Sequence, residues 1–486
     1  MFKRKFVTNL IFLLLLNFLV KPIWIFGIDR TVQNIVSPEQ YGLYFSILNF
    51  SFLFNIILDF GITNFNNRNI AQNSFLLNKH FSSLIVIRFI LGMVYFVIIY
   101  AVALIIGYDK QHLYFLFFLA LNQFLASLIL YLRSNISGLL MFKTDSIISV
   151  LDRTLMIVIC SVLIWGRITE KQFDILWFIY AQTASYVLTA LVAFVIVARK
   201  SKFRRLTWNY TFFLVILKKS LPFALLVLLM SFYNRIDAVM LERLLGDNLG
   251  TSQANVYGKA FRWLDAVNMV SYLFSVLLLP IFSRLIKEKQ NVTEIIKTSF
   301  VLLFTFVIIA GIQSSFYGSD IIDLLYHSQQ AESTAVFKII ILCCIPVGMV
   351  YIFGTLLTAN NNLRELNIVS AIALTINLVI NLILIPKYMA LGSAVASVTT
   401  QFFTAIVQII LVIKIFKIKI SKGFIARVVA FVLSIIAVNV IFKYIDYNWI
   451  AEFLLVGLIS LLLAVLLGLF KLKSFAMLIK SRENEN

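Results

Sequence analysis

The chain has 486 residues, 61% of them hydrophobic and 13% charged, with a mean hydropathy of +0.96. Soluble domains are roughly 45–50% apolar, so this composition excludes a soluble globule and points to a chain that crosses a membrane many times. The formal net charge of +20 would suit nucleic acid only if Lys and Arg covered a polar face; in a polytopic protein they gather in cytoplasmic loops instead.

A membrane span needs about 20 mostly apolar residues. Lys3, Arg4 and Lys5 precede the first such run, 8–28, which is too long for a signal-peptide core and lacks a small-residue cleavage site. Thirteen more runs follow, at 41–61, 81–107, 114–132, 146–164, 175–197, 221–241, 256–283, 299–316, 335–358, 367–386, 392–414, 427–444 and 449–470. Alternating barrel strands are absent, so the expected fold is all-α and polytopic, with about 14 transmembrane helices.

Charge orients these spans. With the N-terminus inside, the inner segments carry 28 Lys and Arg and the outer segments 7, while the other 7 of the 42 lie within spans. Cytoplasmic loops carry such an excess, so both termini are expected in the cytoplasm. The charge is then topological, and no nucleic-acid partner is expected.

The longest polar interruption, RKSKFRR at 199–205 and WNYTFFLVILKK at 208–219, reads as a basic amphipathic linker on the inner face, with Trp208 and Phe213 toward lipid. It divides the chain into an N-terminal lobe (1–198, spans one to six), the linker (199–220), a C-terminal lobe (221–415, spans seven to twelve) and a last pair of spans with the tail (416–486). A shift of 216 residues superposes Tyr41-Gly42 on Tyr257-Gly258 and sets Lys21 over Asp237. Internal duplication around a midplane site is a common transporter plan. Pro22, Pro280 and Pro346 are candidate bends.

The charges within spans carry the functional signal, because an ionised side chain at bilayer depth costs roughly 2.5–3.5 kcal/mol on insertion scales. Span seven holds Asn234, Arg235 and Asp237. Two residues apart on a helix, Arg235 and Asp237 point to nearly opposite sides, so each needs a partner elsewhere, a wet cavity or the surface. Span eight adds Lys259, Arg262 and Asp265, the last two at same-face spacing. Lys21, Arg30, Arg235, Lys259 and Arg262 are expected in the outer half of the membrane, with Arg88 and Arg153 nearer the cytoplasm. Snorkelling to headgroups accounts equally for Arg30, Lys259 and Lys338, and Asp152 is the expected partner of Arg153. A cationic cavity suits phosphate, whose oxygens match guanidinium geometry.

Cys160, Cys343 and Cys344 lie in apolar runs and read as core residues; His80, His112 and His327 form no ligand cluster. No phosphate-binding loop, zinc motif or nucleophile elbow is present. No cofactor is expected, and a secondary transporter is favoured over an enzyme.

Several segments carry a family likeness. YGLY at 41–44, LDFGI at 58–62 and NRNIAQ at 67–72 resemble the start of O-antigen (Wzx-type) polysaccharide flippases, members of the multidrug/oligosaccharidyl-lipid/polysaccharide (MOP) exporter superfamily. YNRIDAVML at 233–241 and VYGKAFR at 256–262 resemble the opening of that family's second half. The resemblance implies two six-helix lobes around a central cavity, plus two C-terminal helices, in the bacterial cytoplasmic (inner) membrane. It implies transfer of undecaprenyl-diphosphate-linked oligosaccharide to the periplasmic leaflet, with cationic residues on the diphosphate. The candidate substrate-binding residues are Lys21, Arg30, Arg88, Arg235, Asp237, Lys259 and Arg262. Asp237 and Asp265 are candidates for a coupling ion, H+ or Na+. Partners expected beyond the lipid-linked glycan and membrane lipids are polymerase or other assembly proteins. A drug or ion antiporter and a membrane-embedded assembly enzyme or scaffold stay open as alternatives.

Overall fold

The computed structural model describes residues 15–17, 19–63, 66, 70, 75–139, 141–166, 173–201, 210–418, 421–444 and 448–469; these form helices and short connections, with no strand among them. Backbone contacts divide the chain into two units, Met1–Asn255 and Val256–Asn486.

In the first unit the entering helix passes through a π-helical stretch, Ile23–Asp29, into α1 (Arg30–Ile35). Next come α2 (Pro38–Leu53), α3 (Leu76–Ile106), α4 (Lys110–Gly138), α5 (Phe142–Trp165), α6 (Ile175–Lys200), α7 (Tyr210–Leu245) and the start of α8 (Asp247–Lys287). Local chemistry sets these ends. The Ser37 hydroxyl accepts from the Gln40 amide, with Pro38 at the first helical position. Gly107, at φ 85°, closes α3, and the Asp109 carboxylate caps α4 by accepting from the His112 amide. Phe81, Ile85, Tyr131, Leu132 and Ala193 make a core among α3, α4 and α6.

The second unit holds the rest of α8, then α9 (Thr293–Phe316), α10 (Gly318–Leu325), α11 (Gln330–Ile340), α12 (Cys344–Ala359), α13 (Leu363–Phe416), α14 (Lys422–Lys443) and α15 (Trp449–Leu466). The last two pack on α9 through Ile308, Ile312, Phe431, Ile435 and Ala464. α13 is far longer than a bilayer is thick; it bends at Met389 (φ 51°, ψ −132°), three residues after Pro386. Two expected spans thus meet at a tight kink without a loop.

Eleven helices among the described residues are long and apolar enough to cross a membrane. The difference from fourteen has local causes. The first run is described only in part, the second breaks at Phe54, and the eleventh and twelfth merge in α13. The linker expected at 199–220 falls partly at 202–209, outside the described residues, as do the side chains of Trp208 and Phe213. From Tyr210 onward the backbone is already α7. The first crossing also runs longer than expected: Asp29 and Arg30, which read as loop, are helical, and the helix ends at Ile35.

Gly42 allows the closest approach in the first unit. A Cβ there would fall 1.7 Å from the Thr251 carbonyl oxygen at the start of α8, so only a residue without one lets α2 lie against that backbone. Gly42→Ala is expected to cost about 1–3 kcal/mol by overpacking, read as a lower thermal midpoint of the solubilised protein. An unchanged midpoint would show that the two helices can part freely.

Candidate functional site

Lys21 precedes the π-helical stretch and is half-buried. One turn before it, the Asn17 amide donates to Ser149 Oγ on α5 at 3.2 Å. Lys21 lies within electrostatic reach of Arg153, Asp152 and Arg133, and forms no hydrogen bond or ion pair with any described residue. Its neighbours have their own partners. Arg133 Nε sits 2.8 Å from Asp145, and Arg153 Nε 3.6 Å from Asp152. Arg153 also donates to the Tyr186 hydroxyl at 3.0 Å and lies over the Trp24 ring at 5.3 Å. Trp24 stacks on Phe178 of α6 at 5.5 Å. The result is a basic, aromatic-walled cluster on the first helix, α5 and α6, in which Lys21 adds one positive charge to two local ion pairs.

Lys21 thus stands beside Arg153, near the middle of α5, and about 21 Å from the helix end at Ile35 at 1.5 Å per residue. Arg30 lies near that end. Beside it Asp29 is buried and accepts from the Tyr41 hydroxyl at 3.0 Å.

Arg235 is half-buried on α7; its guanidinium lies 5.1 Å above the Phe52 ring of α2 and donates to Asn49 Oδ1 at 3.4 Å. Asp237 is 2% exposed. Arg88 is enclosed. It donates to the Leu58 carbonyl and to Ser127 Oγ at 2.6 and 2.9 Å, pairs with Asp59, donates to Thr63 Oγ1 and lies over the Tyr131 ring at 5.1 Å. Asp59 also accepts from the Gly61 and Thr63 amides. Phe60 and Gly61 have φ of 43° and 79°, so LDFGI is a left-handed turn capped by its own carboxylate and clamped by Arg88.

In the second unit Lys259 is buried, donating to the Ser328 carbonyl and hydroxyl at 2.5 and 3.0 Å and facing the Tyr326 ring. Arg262 and Asp265 stand 4.0 Å apart on one face of α8, the pairing their spacing suggests. The structure thus gathers Lys21 with Arg133 and Arg153, which were not among the candidates, and leaves Arg88 and Lys259 in separate polar enclosures.

Sequence reasoning passed over two polar groups. One is a buried set along α13, including Asn377, Asn381, Ser393, Thr400, Thr404 and Gln408, with Asn381 donating to Asn377 at 3.1 Å. Its signal is uncharged polar residues near four-residue spacing in apolar runs. The other centres on Glu242, 4% exposed, which accepts from Ser46 at 2.9 Å and Tyr108 at 3.2 Å and contacts His112 at 3.0 Å. Among the described residues no group of three or more His, Cys, Asp or Glu could hold a metal ion.

The fold has solved counterparts. A lipid II flippase MurJ in an inward closed conformation superposes with a TM-score of 0.69 at 15% identity, over 94% of this chain and 98% of that one. An inward-facing multidrug resistance MATE transporter of the MOP superfamily gives 0.60 at 14% identity, over 81% and 94%. A MOP superfamily transporter from Pyrococcus furiosus gives 0.53 at 14% identity, over 85% and 94%. No curated protein matches the sequence. The family described as polysaccharide biosynthesis protein matches residues 6–286, more than half of the chain. The chain is therefore a multi-pass membrane protein of the polysaccharide biosynthesis family, with a fold like that of the MurJ and MATE structures.

Proposed function

We propose that this chain carries an undecaprenyl-diphosphate-linked oligosaccharide, the repeat unit of an O-antigen or another surface polysaccharide, from the cytoplasmic to the periplasmic leaflet of a bacterial inner membrane. The observation that supports this reading is the half-buried Lys21 ammonium, which adds positive charge beside two guanidinium groups and has no ion-paired carboxylate of its own among the described residues. Such a charge is costly in a membrane protein and is characteristic of a substrate route. A diphosphate recovers that cost.

In this reading the cations replace the water that the headgroup loses, while the polyprenyl tail stays in lipid. Lys21 and Arg235 make the primary contacts, Arg30 and Asp237 line the route in the first unit, and Arg88 supports it from behind. The lobes 1–198 and 221–415 rock about the bound headgroup. The linker 199–220 joins them, and a polymerase or other assembly protein is the further partner. Both termini lie in the cytoplasm. An inside-negative potential favours outward movement of anionic charge by about 2.3 kcal/mol per elementary charge per 100 mV. H+ or Na+ at Asp237 or Asp265 supplies any further coupling.

Deletion in the native host tests the reading. Lipid-diphosphate-linked repeat units should accumulate while surface glycan disappears. Unchanged glycan together with lost resistance to cationic compounds would favour the drug-antiporter alternative.

A further inference from the structure

His112 carries an arrangement that the transport reading leaves unused. Its ring Nδ1 lies 2.7 Å from Asp109 Oδ1 and its Nε2 lies 3.0 Å from Glu242 Oε1. Both ring nitrogens therefore face carboxylate oxygens. A neutral imidazole has one N–H and one lone pair, so it can donate to one of these carboxylates and must turn a lone pair on the other. An imidazolium donates to both. The geometry thus holds a proton more than a neutral histidine between two carboxylates does.

The surroundings make this proton mechanically consequential. Asp109 has a side chain 65% exposed, in the α3–α4 turn, whereas the Glu242 side chain is 4% exposed on α7. Backbone and ring contacts from His112 hold the Asp109 carboxyl below the usual carboxylate range. Glu242 is the junction of three elements: Ser46 of α2 and Tyr108 of the turn donate to its Oε2, and His112 of α4 meets its Oε1. The other charged or titratable groups facing the assembly are Arg243, whose Nη1 stands 3.7 Å from Glu242 Oε1, and Tyr108, stacked on the imidazole at 4.8 Å. α2 contributes the Ser46 hydroxyl. Arg243 lies over Tyr108 and donates to the Ile106 carbonyl, which ties it to the α3 end.

We propose that Asp109, His112 and Glu242 form a proton-binding site whose occupancy latches the end of α7 to α4 and α2. The proton arrives from water at the exposed Asp109, binds the imidazole and completes the donation to Glu242. Its release returns the ring to one N–H. The Asp109 contact is retained, because that residue also caps α4 through the His112 amide at 2.9 Å. The contact between helices, at Glu242, is the one that opens. For a transporter this is a proton-controlled closure at the α3–α4 end. That consequence rests on the proposed function, but the site itself does not.

Two measurements on the full-length chain in nanodiscs test it without any transport assay. The chain has three histidines, so ring-15N-labelled protein gives a resolvable spectrum, with His112→Gln assigning its signal. His112 should be doubly protonated at pH 6.5, the ordinary midpoint of imidazole at roughly 6.5. Asp109→Asn should move its titration to lower pH by on the order of one unit. Spin labels at the exposed Gln111 and Leu244 should give one short distance while His112 is protonated. A longer population should grow once the pH passes its titration, and His112→Gln should remove this pH response. A neutral His112 at pH 6.5, a distance insensitive to pH, or a pH response that persists in His112→Gln would each overturn the proposal. If His112→Gln fails to fold, the titration of the wild type and of Asp109→Asn still decides it. Unchanged surface glycan in the deletion strain, together with an intact latch, would count against the transport reading alone.

Discussion

Arg88→Ala is expected to destabilise the first unit by about 3–5 kcal/mol, the cost of leaving one member of a buried ion pair uncompensated. Arg88 is 1% exposed, and its removal strands Asp59 and leaves the Leu58 carbonyl and Ser127 with one donor fewer. Asp59 would keep the Gly61 and Thr63 amides, so the turn loses its clamp and retains its cap. Differential scanning of the solubilised protein should show the loss as a lowered midpoint or as aggregation. Asp59→Ala should cost a similar amount. The double variant Arg88→Met, Asp59→Leu should recover part of it, because a matched apolar pair removes both desolvation costs. A double variant no better than either single one would mean that the two side chains act separately.

Lys21→Met is expected to cut surface glycan by about tenfold to a hundredfold, while membrane levels of the protein stay near wild type. The range follows from about 1.5–3 kcal/mol for a hydrogen bond to a charged group, with 1.4 kcal/mol per factor of ten. Methionine keeps most of the apolar stem, one atom shorter, and removes the ammonium with its charge and donors. Because Lys21 has no bonded partner among the described residues, its loss strands no carboxylate, and folding should not suffer. Lys21→Arg should restore much of the export. Arg235→Ala should lower surface glycan as Lys21→Met does, with membrane levels of the variant measured alongside to separate export from folding. Normal surface glycan in both variants would remove these residues from the route.

The helical, many-span plan was legible because each crossing needs a long apolar run, which composition displays directly. The last boundary was legible, with α15 starting at Trp449 as expected behind the Asn448 cap, whereas α2 and α4 start three and four residues before the expected runs, where Ser37 and Asp109 cap them. Boundaries also failed where polarity suggested a loop. Asp29 and Arg30 stay helical because the Tyr41 hydroxyl answers the Asp29 carboxylate, and Gln33, one turn further on, reaches Asn255 at 2.9 Å. A sequence does not show those partners, which lie 12 and 222 residues away.

The embedded charges were found readily, because charge in an apolar run is conspicuous. Their company was not. Arg88 and Asp59 are 29 residues apart in the chain, and nothing in their spacing pairs them. The grouping of Lys21 with Arg133 and Arg153 depends on how the first helix packs against α5. His112 reads as one of three scattered histidines, and Glu242 falls just past the expected seventh span. Only their convergence, from positions 130 residues apart, gives them chemistry.

The most direct measurement is transfer of a fluorescent undecaprenyl-diphosphate-linked oligosaccharide in proteoliposomes carrying the purified full-length chain, scored by access of an impermeant quencher to each leaflet. Wild-type protein should equilibrate the labelled lipid across the bilayer, and Lys21→Met should slow this by about tenfold or more. Transfer no faster than in protein-free vesicles, or equal in wild type and Lys21→Met, would contradict the account.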